Sequence, residues 1–211
     1  MAKRENFNFS NDIAIMDTRR YLPLILIGLG IVLVFATCNS YNGAVGKEEN
    51  VKKAWSQVEN QYQRRADLIP NLVNTVKGYA NFEQQTLQAV IAARASATQV
   101  RIDANNLTPE NIQRFEQAQQ GVSGALGRLL AVAEAYPDLK ANQNFMALQQ
   151  QLEGTENRIA VERRNFNEAV NNYNASIRRF PTNMLVGLFG FSPKGYFQSA
   201  PGSDRPPEVK F

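Results

Sequence analysis

Apolar residues recur at alternating intervals of three and four along most of the chain, the spacing of one helix face in a bundle or coiled coil. The first series predicts a helix from about residue 42 to residue 77, with Gly78 ending or bending it. Arg65 interrupts this apolar series, and Pro70 falls inside the predicted helix. The series consists of Val51, Trp55, Val58, Tyr62, Ile69, Leu72, Val76 and Tyr79.

Three further segments have the same helical period, and none has the alternation of a β-strand. Alanine is frequent in the second segment, which favours helix and close packing. Four amphipathic helices joined by short connections predict an all-α fold, a long antiparallel four-helix bundle. The predicted helices cover about residues 42–77, 81–101, 109–136 and 145–180.

The start of the third helix is the boundary that the sequence specifies best. Thr108 is a typical N-cap residue, and Pro109 suits the first helical position. Leu107, just before the cap, can pack on Ile112 in the first turn. We therefore expect the helix to begin directly after Thr108.

Residues 21–38 contain no charged side chain and are long enough for a membrane span, which needs about 20 apolar residues. They predict a transmembrane helix in the lipid bilayer, with signal cleavage or lipidation at Cys38 as the alternatives. The chain is expected to cross the inner (cytoplasmic) membrane once. Arg19 and Arg20, just before the span, predict a cytoplasmic N-terminal tail and place the bulk of the chain on the periplasmic or extracytoplasmic side. The predicted divisions are a tail (1–20), the span (21–38), the bundle (39–180) and an apolar, irregular C-terminal tail (181–211).

Composition narrows the possible chemistry. The chain has no histidine and one cysteine, which excludes histidine-based catalytic triads, histidine zinc sites and internal disulfides. Its net charge of +4 is spread over scattered basic doublets, whereas nucleic-acid-binding proteins concentrate positive charge on one face. We therefore predict no catalytic residue, metal site, cofactor or nucleic-acid partner.

Polar residues occupy several positions of the apolar series. Drift of a straight helix would bring them to the rim of the bundle. The alternative is a buried polar layer in which Arg65 pairs with Glu162 close to a helix kink at Pro70. Pro70 deprives the Ala66 carbonyl of its helical donor, so a guanidinium or amide should supply another. The candidate layer is Arg65, Gln119, Thr155 and Glu162.

Other polar and aromatic residues are weaker candidates. Trp55 is expected in the core, with a membrane-interface or partner-anchor role as the alternative. Asn167 and Asn174, seven residues apart, are expected at the bundle surface or in interhelical hydrogen bonds. A further set could form an interhelical network or a solvated face. That set is Glu83, Arg94, Glu156 and Arg158.

The beginning of the C-terminal tail is too apolar to remain in water. It could fold back on the bundle, lie at the membrane surface, or dock on another protomer or a partner. The candidate interaction residues are Leu185, Val186, Leu188, Phe189 and Phe191.

Three stretches resemble the LemA family: AWSQVENQYQRRADLIPNLVNTVKGYANFEQQTLQAVIAARA, YPDLKANQNFMALQQQLEGTENRIAVERRNFNEAVNNYN and RRFPTNMLVGLFGFSPKGYF with the final PPEVKF. The resemblance implies a small membrane-anchored protein with a long antiparallel helical bundle and no established activity. It also implies a partner among membrane proteases or other small envelope proteins, whose genes often lie nearby. The matching positions of interest are Arg64, Arg65, Asp67, Pro70, Asn71, Glu83, Arg94, Thr155, Glu156, Asn157 and Arg158.

These observations favour a non-catalytic, membrane-tethered interaction or scaffold protein, which could form homo-oligomers. The alternative is a sensor or small-ligand-binding ectodomain that signals through a partner, since bundle cores can hold ligands. A carboxylate-dependent enzyme is a third class, which no positioned acid–base pair supports.

Overall fold

Helices make up most of the residues that the computed structural model describes, which are residues 18–78 and 83–198. The described residues contain no β-strand, which confirms the all-α prediction. The helices are α1 (Thr18–Lys77), α2 (Gln84–Gln99), α3 (Pro109–Ala133), α4 (Pro137–Lys140), α5 (Gln143–Arg178) and α6 (Thr182–Phe189).

The predicted span and the first bundle helix form one uninterrupted helix, α1, of 60 residues. This differs from the expected separate elements, because neutral residues 39–42 continue the helix that both flanking stretches favour. At 1.5 Å per residue, α1 is roughly 90 Å long. Its N-terminal part is long and apolar enough to cross a membrane. The helix also continues through Pro70 to Lys77, so the proline does not end it.

Contacts between the long helices define their directions. Trp55 of α1 packs on Phe166 of α5, and Arg65, further along α1, meets Glu156, which lies earlier on α5. These two helices are therefore antiparallel. Trp55 also packs on Phe115 of α3, and Arg65 bonds to Gln119, so α1 and α3 run in the same direction.

Two apolar clusters build the core. The cluster nearer the predicted membrane includes Trp55, Tyr62 and Phe166, and the distal cluster includes Leu72, Val90 and Leu129. Trp55 is fully buried, so its core interpretation is confirmed and the membrane-interface alternative is wrong. Because α2 is short, residues 100–108 and 190–198 complete the membrane-proximal half, contributing Ile102, Leu107, Phe191 and Phe197.

The helix caps follow the sequence closely at two places. The Thr108 hydroxyl accepts a hydrogen bond from the Asn111 amide at 3.3 Å, which confirms the predicted N-cap of α3. Asn142 caps α5 in the same way, accepting from the Phe145 amide at 3.1 Å. The fourth long helix consequently begins at Gln143, slightly before the predicted start.

Candidate functional site

A buried arginine lies at the junction of the two core clusters. Arg65 is 1% exposed, and its guanidinium reaches both α3 and α5. One terminal nitrogen, Nη1, donates to Glu156 Oε1 at 2.7 Å and to Ser123 Oγ at 2.8 Å. The other, Nη2, donates to Gln119 Oε1 at 2.6 Å and to the Gln119 carbonyl at 3.2 Å. One side chain therefore joins three helices through charge-assisted hydrogen bonds.

The structure brings together only part of the expected polar layer. Gln119 and Thr155 are both buried, and Gln119 bonds to Arg65. The Thr155 hydroxyl instead donates to the Gln151 carbonyl of its own helix. Glu162 does not meet Arg65; it accepts a hydrogen bond from Asn165 of its own helix. It lies six residues beyond Glu156, roughly 9 Å along the helix axis, and is therefore too far from the arginine. Glu156 is the carboxylate of this layer.

Arg94 satisfies the carbonyl that Pro70 leaves without a helical donor. Its Nε donates to the Ala66 carbonyl at 2.7 Å, joining α2 to α1. A proline at position 70 has no N–H for the carbonyl four residues earlier. This geometry matches the donor expected from the sequence and links Arg94 structurally to the proline at position 70.

We expect Arg94→Met to lower the free energy of unfolding by about 1.5 kcal/mol, because the Ala66 carbonyl would lose its donor. Pro70→Ala restores the backbone N–H, so the same arginine substitution should cost much less in that background. Guanidinium unfolding of the detergent-solubilised full-length protein, followed by Trp55 fluorescence, measures both values. Equal costs in the two backgrounds would contradict the proposed linkage.

The four residues of the second candidate network do not form one network. Glu83 accepts a hydrogen bond from the Thr86 hydroxyl near the start of α2, while Arg94 and Glu156 have the separate roles described above. Arg158 is exposed on α5. The described hydrogen bonds therefore give these residues separate partners and do not join them into the predicted network.

Two asparagines of α5 bind the backbone of the C-terminal segment, residues 190–198. Each side-chain amide bonds to both the N–H and the carbonyl of one residue, as a neighbouring β-strand would. Asn174 donates to the Lys194 carbonyl and accepts from the Lys194 amide, both at 2.9 Å. Asn167 makes the same pair of bonds with Phe197, also at 2.9 Å. The seven-residue spacing of the asparagines thus matches a backbone advance of three extended residues. Their expected surface or interhelical role is replaced by this segment-binding role.

Charged groups reinforce the same segment. The buried Lys194 ammonium pairs with Glu48 Oε1 of α1 at 2.8 Å. Arg163 pairs with Glu116, donates to the Gln198 carbonyl at 2.9 Å and lies 4.7 Å from the Phe197 ring. Phe197 packs among Trp55, Phe115 and Phe166. The segment is therefore part of the core, and no sequence pattern predicted these ion pairs.

Burial, together with the charge of Glu48, raises the pKa of the Tyr173 phenol to about 12. In the unfolded chain a tyrosine has a pKa of about 10. The unfolded chain therefore releases the proton first, so this contribution to stability is intact below about pH 10 and is lost as the pH rises towards 12. We expect Tyr173→Phe to reduce the alkaline loss of stability, measured as unfolding midpoints from about pH 9 to about pH 11. An unchanged alkaline loss would contradict this.

The candidate interaction residues of the tail divide into two groups. Phe191 is buried in the core and is not available to a partner, while Val186 is half-buried and packs against the core. Leu188 and Phe189 of α6 are 80% and 49% exposed. Only the backbone of Leu185 lies within the described structure. The fold-back alternative therefore holds for residues 190–198 and not for the exposed face of α6.

A cleft of about 610 Å³ opens beside the arginine layer, between α1, α2 and α3. Burial raises the pKa of Glu59 in its wall. The charge of Arg65 is paired with Glu156, but Arg94 and Arg101 still outnumber this carboxylate, which suits the cleft to an anionic group. The polar lining includes Glu59, Arg65, Arg94, Arg101 and Gln119.

An all-α chain with one membrane-spanning candidate helix and a bundle joined by a buried arginine is a membrane-associated helical protein. The model of the LemA family matches residues 54–211, so the chain belongs to the LemA family. It is 28% identical to magnetosome protein MamQ 2 of Paramagnetospirillum magneticum, over 87% of this chain and 74% of that protein. It is 23% identical to protein LemA of Metamycoplasma hominis, over 85% of this chain and 78% of that protein.

Proposed function

We propose that the protein is a non-catalytic scaffold of the bacterial envelope, anchored in the inner membrane, whose bundle presents a protein-binding surface in a fixed orientation. Its partner would be a second copy or another envelope protein such as a membrane protease. The continuity of α1 carries this proposal, because one helix contains both the apolar span and the core residues Trp55 and Leu72. The bundle is thus joined to the span without a flexible connection.

The described residues are consistent with a binding role. They contain no group of three or more histidine, cysteine, aspartate or glutamate side chains suited to a metal ion. The buried charges at Arg65 and Lys194 are each engaged in an ion pair that joins elements of the fold. In this proposal the N-terminal tail is cytoplasmic and the bundle is extracytoplasmic, in keeping with Arg19 and Arg20 before the span.

Two insertions after Asn39 test whether orientation matters. A flexible Gly/Ser insert of one heptad would release the bundle from the span. An alanine insert of the same length keeps the helix continuous and nearly preserves the rotation of the bundle relative to the span. Crosslinking in membranes followed by mild solubilisation should recover the same partner with the native chain and the alanine insert. Recovery should fall with the Gly/Ser insert at equal membrane abundance. Capture of no reproducible partner, or equal capture by all three chains, would overturn the scaffold proposal.

The arginine-lined cleft favours a second candidate, a sensor domain that binds a small anion. Arg101 is exposed at this cleft, and Arg114 is an exposed arginine of α3 outside its lining. Calorimetric titration with inorganic phosphate and with citrate should then detect binding that Arg101→Ala weakens and Arg114→Ala does not. Absence of binding, or equal weakening by both variants, would count against a sensor for these anion classes.

A further inference from the structure

Helix α6 exposes an apolar surface that no other part of the described residues 18–78 and 83–198 covers. Met184 is 69% exposed and Leu188 is 80% exposed, and their spacing of four places them on one helix face. Phe189 is 49% exposed, and Phe180, just before the helix, is 75% exposed. We call these four side chains the α6 apolar face. Such a concentration of large apolar groups marks a surface that contacts something other than water.

The α6 apolar face lies next to the end of the predicted span. The ring of Tyr41 is 4.8 Å from Phe189 and 5.6 Å from Phe191, measured between centroids. Tyr41 follows Cys38, the last residue of the apolar stretch, by three residues, or about 4.5 Å along α1. Tyrosine is enriched where a span leaves the hydrocarbon. The helix α6 is therefore held close to the bilayer boundary.

The fold keeps α6 in this position from both ends. On its N-terminal side it follows α5, whose antiparallel packing on α1 brings Arg178 to the end of the bundle next to the predicted span. On its C-terminal side Gly190 ends the helix in the left-handed conformation, φ 72°. The buried Phe191 and the segment held by Asn174 follow directly. An apolar helix fixed beside a span can bury its face in the bilayer without any protein partner.

We propose that α6 is a second membrane contact, which inserts the α6 apolar face into the surface of the same bilayer that α1 crosses. This rests on the proposed membrane anchoring through residues 21–38. Arg178 and Arg179 are exposed immediately before α6 and suit anionic headgroups. With α1 and α6 both engaged, the bundle is fixed against rotation about the span. The chemical class of the ligand is a bilayer containing anionic phospholipid.

Site-directed spin labelling of the full-length protein in vesicles tests the proposal. Cys38, the single cysteine, is exposed and is first replaced by serine. Labels are then placed with Leu188→Cys and Met184→Cys on α6, with Met146→Cys at the distal end of the bundle, and with Ile31→Cys in the span. Met146 is a matched control, since it is also an exposed apolar side chain, 43% exposed. Accessibility to oxygen is compared with accessibility to a polar nickel complex.

The labels on α6 should favour oxygen, as the Ile31 label does, while the Met146 label favours the nickel complex. Adding phosphatidylglycerol to phosphatidylcholine vesicles should strengthen the α6 signal, by up to about fivefold for each arginine near the surface. Arg178→Gln with Arg179→Gln should remove that lipid dependence.

The Ile31 label separates the two proposals. If it favours oxygen while the α6 labels resemble Met146, α6 does not contact lipid and only this inference fails. If the Ile31 label is itself in water, the membrane anchoring fails as well. Magnetic broadening between α6 labels of two molecules, without preference for oxygen, would assign the face to a second copy and overturn the lipid assignment.

Discussion

Replacing Glu156 by alanine is expected to lower the free energy of unfolding by about 2–3 kcal/mol, because it leaves a buried guanidinium without its carboxylate. Arg65 is 1% exposed, whereas the Glu156 side chain is 43% exposed, so removing the carboxylate leaves a charge that water reaches poorly. The expected loss is below the range of about 3–5 kcal/mol for a fully buried ion pair. Glu156 is partly exposed, and Gln119 and Ser123 continue to accept from the guanidinium. Guanidinium unfolding followed by Trp55 fluorescence measures the change.

Glu162→Ala is the matched control for this prediction. Glu162 is a glutamate of the same helix whose described hydrogen bond is local, to Asn165, so its removal should cost less than about 0.5 kcal/mol. Adding Arg65→Met to Glu156→Ala should recover part of the lost stability, because no uncompensated charge then remains buried. Similar costs for the two glutamates, or strict additivity of the double variant, would show that Arg65 does not depend on Glu156.

The choice between Glu156 and Glu162 required a register that the apolar pattern does not contain. The period of each helix indicated the candidates for a polar layer, Glu162 among them. It did not give the displacement of α1 and α5 along each other. The contact of Trp55 with Phe166 supplies that displacement. Ten residues forward from Trp55 is Arg65, and ten residues back from Phe166 is Glu156. A single known contact between the helices would have sufficed.

At Pro70, local chemistry was enough to predict which backbone carbonyl lacks a helical donor. The missing N–H could be located from sequence alone, and so could the need for a donor at the Ala66 carbonyl. The identity of the donor depended on how α2 packs against α1. The sequence had placed Arg94 in another network, which the structure does not form.

The C-terminal segment could not be predicted because extended backbone held by side-chain amides has no periodic pattern. Asn167 and Asn174 were noticed for their spacing, while their partners lie 20 to 30 residues further along the chain. The apolar residues of α6 and of this segment look alike in sequence. Only the fold distinguishes exposed Leu188 from buried Phe191.

Gly195→Ala is expected to cost about 3 kcal/mol, near the upper end for overpacking, and to release the C-terminal segment from the bundle. A Cβ atom at this position would lie 2.6 Å from Pro109 Cα and 2.8 Å from Pro109 N. These are backbone atoms at the start of α3, where Thr108 caps the helix, so they cannot move aside as a flexible side chain could. The Gly195 amide also donates to the Leu107 carbonyl at 2.8 Å.

Gly127→Ala provides the matched control, since this exposed glycine of α3 has nothing within 4 Å of an added Cβ. That substitution should raise stability by up to about 1 kcal/mol through helix propensity. Release of the segment is read from hydrogen exchange at the Phe197 amide, which bonds to Asn167. We expect the Phe197 amide to exchange faster with Gly195→Ala and at an unchanged rate with Gly127→Ala. Unchanged protection at Phe197 would mean that the close approach to Pro109 does not hold the segment, and that the asparagines and Lys194 suffice.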